Sequence, residues 1–135
     1  MKKLFVDTGA FLAKEIRRDQ HHAEAVDGWQ QLAEIPEVLY TSEHCMDETA
    51  TLLARRTSYA FAGKWGADVL SSGITVLQAQ RDDWTDAFRL MRKFADQNVS
   101  FTDCLSFRLM KRHRIRSVFG FDHHFTAAGF GLWRV

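Results

Sequence analysis

Proline is almost missing from this chain: Pro36 is the only one in 135 residues. Without proline-rich, glycine-rich or serine-rich tracts there is no sign of an interdomain linker, and no internal repeat is visible. At about nine tenths of an average domain, residues 1–135 are expected to fold as one body. Cysteine is also scarce. Cys45 and Cys104 lie far apart with no C-x-x-C partner, which excludes a cysteine zinc cage and a disulfide framework and favours a reducing cytoplasm. No apolar run approaches the roughly 20 residues that span a bilayer. The start Met-Lys-Lys-Leu-Phe-Val-Asp meets an acid too soon for a secretory leader, so the protein is expected to remain where it is made, with no membrane partner. Nor is there an excess of either charge. With 18 basic and 17 acidic residues, the formal balance is +1 and does not by itself imply a polyanionic partner.

What the chain does have is core material. Hydrophobic residues make up 46% and aromatic ones 13%, which suits a globular fold and excludes wholesale disorder, collagen and coiled coil. Short apolar runs alternate with longer segments of helical period. Leu4 to Val6 precedes a helical stretch from Ala10, and Val38 to Tyr40 precedes a helix from about Ser42. Ile74 to Leu77 precedes Trp84, Ala87, Phe88, Met91, Phe94 and Ala95, spaced by threes and fours. Val118 to Phe121 precedes a short helical segment from Asp122 to Ala128, and Leu132 to Val135 offers a last edge strand. Strands separated by helices of this length need crossover connections. The expected architecture is therefore an α/β three-layer sandwich, with a central parallel sheet of four to five strands flanked by helices. Such sheets hold ligands at the carboxyl ends of their strands, where the strand order reverses.

Four acids fall in suggestive places. Asp7 follows the first strand directly, and Asp122 follows Val118 to Phe121 in the same way. An aspartate there also serves to cap the following helix. Asp103 opens a helix predicted over 103–113, where the positive end of the backbone dipole favours an ionised carboxylate, with Ser100 or Thr102 available as the cap. Glu48 lies within a helical segment over 43–56, beside Cys45, Thr49 and Leu52 at helical spacing, and is expected to face partly inward. A carboxylate turned inward is costly unless paired or liganded. If the four converge, their mutual repulsion raises their pKa values unless a cation intervenes, and carboxylate oxygens suit hard ions such as Mg²⁺ or Mn²⁺. Such a centre activates water for attack on a phosphodiester.

The charge distribution agrees with a polyanionic substrate. Removing those four from the 17 acids leaves 13 against 18 bases. Arg108, Lys111, Arg112, Arg114 and Arg116 crowd one acid-free stretch, a candidate phosphate-docking site. The same charges would also complement the C-terminal end of a helix dipole. His21 and His22 project in different directions from a helix and make poor co-ligands. His123 and His124 follow a candidate ligand, yet hard ions held by carboxylates prefer oxygen. Cys45 and Cys104 are expected to pack in the interior rather than act as nucleophiles.

These residues resemble a known family. Leu-Phe-Val-Asp-Thr-Gly-Ala-Phe-Leu-Ala at the start, Asp-Glu-Thr-Ala-Thr-Leu-Leu-Ala-Arg-Arg around Glu48, Phe-Thr-Asp-Cys-Leu-Ser-Phe around Asp103 and Phe-Asp-His-His-Phe-Thr-Ala-Ala-Gly-Phe around Asp122 are similar, in order, to the motifs of PIN-domain ribonucleases, in particular VapC-type toxins of toxin-antitoxin pairs. The resemblance assigns Asp7, Glu48, Asp103 and Asp122 to an acidic metal site, supported by hydrogen bonds from Thr8 and Thr102. It implies Mg²⁺- or Mn²⁺-dependent cleavage of RNA, a homodimer, and a cognate antitoxin. His123 and His124 stand where the family varies.

Two other readings compete. Asp7-Thr8-Gly9 also spells the triplet of a dimeric aspartic protease, in which two carboxyl groups share a proton. That chemistry belongs to a nearly all-β fold and leaves Glu48 and Asp103 without a task. A non-catalytic RNA- or protein-binding module of the same shape is the other, and the intact set of four acids speaks against it.

Overall fold

The computed structural model describes residues 2–134. Its sheet comprises β1 (Lys3–Val6), β2 (Val38–Ser42), β3 (Thr75–Leu77), β4 (Ser117–Phe119) and β5 (Gly131–Leu132). All pairings are parallel, in the order β3-β2-β1-β4-β5. Between β1 and β2 run α1 (Thr8–Glu15) and α2 (His22–Leu32), and between β2 and β3 run α3 (Glu43–Arg56) and α4 (Tyr59–Ser71). Helices α5 (Arg81–Lys93) and α6 (Phe101–Arg112) connect β3 to β4, and the short α7 (His124–Ala127) connects β4 to β5.

The order explains the layers. From β1 to β3 the chain steps in one direction across the sheet, then jumps back over β1 to β4 and continues outward to β5. Right-handed crossovers in opposite directions place their helices on opposite faces. Accordingly, Leu4 and Val6 of β1 pack with Phe11, Leu53 and Trp65 on one face. Phe5 points the other way, packing with Leu105, Leu109 and Phe125. This alternation is the period of two that a strand imposes on side chains, and β4 repeats it, with Val118 on the α6 face and Phe119 on the α1 face. The direction reverses between β1 and β4, so the carboxyl end of β1 is the switch point.

Element ends differ from the sequence expectation in ways that matter for the site. Strand β4 ends at Phe119, so Gly120 and Phe121 separate it from Asp122. The last link is Asp7 N–H donating to the Phe119 carbonyl at 3.0 Å, after which the chain passes tightly over the Asp7 side chain. Helix α6 begins two residues before Asp103 because Ser100 is the cap, its hydroxyl accepting from Asp103 N–H at 3.1 Å. Helix α1 likewise starts at Thr8 rather than Ala10. The last strand is Gly131–Leu132, so of the expected run over 132–135 only Leu132 belongs to it, and Val135 lies outside the described residues. Among the described residues no helix is long and apolar enough to cross a membrane.

Candidate metal centre

Asp7 arrives at the switch point on the most buried strand of the sheet. It is the N-cap residue of α1 but makes no side-chain capping bond, so its carboxylate is not consumed by the helix. Instead, the Cys45 thiol approaches its Oδ1 at 3.8 Å. Cys45 is placed there by α3, whose cap Ser42 accepts from Cys45 N–H at 3.0 Å. Cys45, Thr49 and Leu53 form the buried stripe of α3 at spacings of four, and Glu48 sits at the border of that stripe, half-buried. Asp103 comes from the first turn of α6, and Asp122 from the turn between β4 and α7.

The four carboxylates line one open cleft of about 380 Å³, together with Thr8 and His124. Among the described residues, no lysine or arginine lines it. The electrostatic consequence is marked. Burial, followed by the negative charges of Glu48 and Asp122, pushes Asp7 up to about 7. Burial and then the charges of Asp7, Asp122 and Glu48 push Asp103 up to about 8. The thiol of Cys45, buried beside Asp7, is pushed up to about 12.

Asp103, Asp122 and His124 each offer an atom within 4.8 Å of the others. The Asp122 carboxylate accepts from His124 N–H at 2.9 Å, and His124 Nδ1 lies 3.1 Å from Asp122 Oδ1 and 3.9 Å from Asp103 Oδ2. That ring nitrogen and the Thr8 hydroxyl are both buried without a hydrogen-bond partner. Carboxylates crowded around the buried Asp7, with no lysine or arginine among the described lining residues and unpaired polar atoms beside them, are unfavourable for the protein alone. They fit a hard divalent ion that keeps several waters.

Not every residue singled out in the sequence arrives here. Thr102 is half-buried on α6 but does not line the cleft; Ser100, the cap of that helix, does. The basic stretch over 108–116 is not one patch. Arg108 reaches back to Asp83 and Asp86 of α5 (2.9 and 2.7 Å), and Arg112 to Asp83 and the Gln78 carbonyl (3.0 and 3.2 Å). Arg114 and Arg116 precede β4 and so lie at the amino ends of the strands, the end opposite the cleft. Lys111 is exposed and has no ion-pair partner among the described residues. Contiguity in sequence concealed this division, because the charges straddle a helix end and a turn. The exposed Asn98, in the left-handed region at φ 55°, joins the cleft, and neither it nor His124 carried a clear sequence signal.

Comparison with known proteins finds relatives in sequence and in fold. The PIN domain family model matches residues 4–131. Over 127 residues, 94% of this chain and 95% of the relative, the sequence is 34% identical to the 23S rRNA-specific endonuclease VapC20 of Mycobacterium tuberculosis, found in two strains. The crystal structure of Mycobacterium tuberculosis VapC20, a Sarcin-Ricin loop cleaving toxin, superposes with a TM-score of 0.88 at 32% identity, covering 98% of this chain and 99% of that one. VapBC2 from Rickettsia felis, solved with a DNA fragment from its promoter, shares the fold at a TM-score of 0.71 and 9% identity, with 97% of each chain covered.

Proposed function

This chain belongs to the PIN domain family, and on that premise we propose that it is a metal-dependent endoribonuclease, the toxin half of a toxin-antitoxin pair. The observation that carries the reading is the convergence of Asp7, Glu48, Asp103 and Asp122 on one cleft that, among the described residues, no lysine or arginine lines. The parallel α/β sheet and this fourfold set remove the protease reading of Asp7-Thr8-Gly9, which needs two carboxyl groups on an all-β frame.

The four carboxylates would hold Mg²⁺ or Mn²⁺. When bound, such an ion makes water a usable nucleophile near neutral pH and neutralises charge on the phosphate under attack. The protein's own part is placement. Burial just past the end of β1 fixes Asp7, the amino end of α6 sets Asp103 in the positive field of the helix dipole, and the backbone N–H of His124 orients Asp122. Asn98 and Ser100, exposed on the rim, are placed to meet the sugar-phosphate chain.

Given its relative's specificity, a structured loop of large-subunit ribosomal RNA is the first substrate to offer this chain. The full assignment includes a cognate antitoxin, a homodimer and a cytoplasmic setting, where the free thiols of Cys45 and Cys104 stay reduced. The test is to incubate purified protein with ribosomal RNA and Mg²⁺ or Mn²⁺, with and without chelator, alongside Asp7→Asn. Cleavage is expected only for the wild type with metal; cleavage that survives both chelator and substitution overturns the assignment.

A further inference from the structure

Beyond the acidic cleft, α5, α6 and the end of α7 enclose a second hollow of about 260 Å³. Its floor is Phe107, 3% exposed, with the ring of Phe130 stacked at 5.8 Å and 30° to it. Around this apolar floor stand Arg89, Lys93, Arg108 and Lys111, against a single acid, Asp86. Asp86 is already clamped by Arg89 and Arg108, whereas Lys93 and Lys111 are exposed with no ion-pair partner among the described residues. An aromatic wall ringed by unpaired cations suits a flat π-face that carries a phosphate. The volume falls below the ~300–1,000 Å³ of ordinary small-molecule sites and has room for one base.

Its position links it to the acids. Asp103, Phe107 and Lys111 follow one another at spacings of four and so share a stripe of α6. At 1.5 Å per residue, Lys111 stands about 12 Å along the helix from Asp103. On the facing segment, Asp122 opens the turn into α7, while Ala128 and Phe130 close it. Phe125 packs against Phe107 between them, at 5.0 Å. The carboxylates and the cation-ringed aromatic hollow thus lie toward two ends of one stripe of α6, with the packed rings of Phe107 and Phe125 between them.

We propose that this hollow holds an unpaired nucleotide of the RNA strand under cleavage, its base against Phe130 and its phosphate on Lys93 and Lys111. The proposal rests on the ribonuclease reading and supplies it with a strand-anchoring site remote from the reacting phosphate. The charge of Lys93 and Lys111, which no acid of the hollow pairs, suits a phosphate, and the aromatic wall beside them favours a base over an acidic side chain.

The experiment compares wild type, Lys93→Glu/Lys111→Glu and Phe130→Leu, which keeps apolar volume but removes the π-face. Steady-state cleavage of an RNA oligonucleotide gives KM and kcat, and fluorescence anisotropy gives oligonucleotide affinity in an Asp7→Asn background that cannot cleave. The lysine reversal is expected to raise KM and Kd at least tenfold, leave kcat within twofold, and flatten the slope of log K against log salt by about 0.7, one phosphate contact on a single strand. Phe130→Leu is expected to weaken binding about tenfold with the salt slope unchanged. Unchanged KM, Kd and salt slope in the lysine reversal overturn the proposal, as does a hollow that binds a poly-glutamate peptide while RNA affinity is untouched by the reversal. If no variant, wild type included, cleaves RNA, the ribonuclease reading fails alone: anisotropy still decides the hollow, supporting it if the reversal lowers affinity and rejecting it otherwise.

Discussion

A methyl group added to Gly120 would stand 3.0 Å from the Cβ of Asp7. Gly120 follows the last paired residue of β4, and its missing side chain lets this segment pass over the buried carboxylate on its way to Asp122. Two of the four acids are therefore positioned by one close approach between β1 and the chain leaving β4.

Gly120→Ala forces Asp7 to yield by a few tenths of an ångström. The expected cost is about 1–2 kcal/mol in stability, in the range for mild overpacking, with about a tenfold loss of cleavage because catalytic ligands tolerate only ~0.5 Å of displacement. Urea unfolding and RNA cleavage on the same preparation check both. Unaltered cleavage would show that Asp7 has freedom the close contact denies it.

Asp7 carries a pH signature. Its pKa rises from 3.8 to about 7 on folding, chiefly through burial, so between those values the folded chain binds more protons than the unfolded one. Stability in chelator therefore falls as pH rises from about 4 to about 7, by roughly 2–4 kcal/mol for this group. Asp7→Asn removes the penalty: near pH 4 it should match the wild type, and at pH 8 without metal it should exceed it. Added Mn²⁺ should then stabilise the wild type and not the variant. Denaturant melts at the two pH values, with and without the ion, decide the matter.

Asp83 behaves in the opposite way. Burial alone would raise its pKa, but the Gln80 backbone N–H and the guanidinium groups of Arg108 and Arg112 outweigh that and hold it below the usual range. Its contribution is present above the ordinary carboxylate range and is lost as pH falls through the lowered value. Asp83→Asn removes a carboxylate shared by two arginines, leaving Arg108 to Asp86 and Arg112 to the Gln78 carbonyl. Because both are partly exposed, the cost at pH 7 is expected at about 2–3 kcal/mol, below that of a fully buried pair. Equilibrium unfolding should show the difference shrinking in acid.

Cys45 is buried and its thiol is pushed up to about 12, so it is not a nucleophile at neutral pH. Alkylation by iodoacetamide should be negligible in the folded protein and appear on unfolding, as mass spectrometry would register. Rapid modification of the native state would contradict the burial.

Much of this architecture is written in local pattern. The apolar runs at Leu4–Val6 and Val38–Tyr40, and the three-and-four spacing through α5, specify strands, helices and parallel crossovers, because period and connection length leave few alternatives. The acids at strand ends were legible for the same reason: a parallel sheet delivers such side chains to one edge. Long-range geometry was not. Arg108 and Arg112 looked free because Asp83, their partner, lies more than twenty residues away on another helix. His124 looked peripheral because only the turn after Gly120 swings it over Asp122 and Asp103. The resemblance to the family assigns Thr102 a supporting role, whereas the residue of that turn that lines the cleft is Ser100, the cap of α6.

The most direct test of the central claim is to locate Mn²⁺ by anomalous scattering in crystals of the wild type and of Asp7→Asn. The account predicts an anomalous peak in the wild type among the oxygens of Asp7, Glu48, Asp103 and Asp122, absent or severely weakened in the variant. A peak elsewhere on the surface, or one of equal height in the variant, would contradict it.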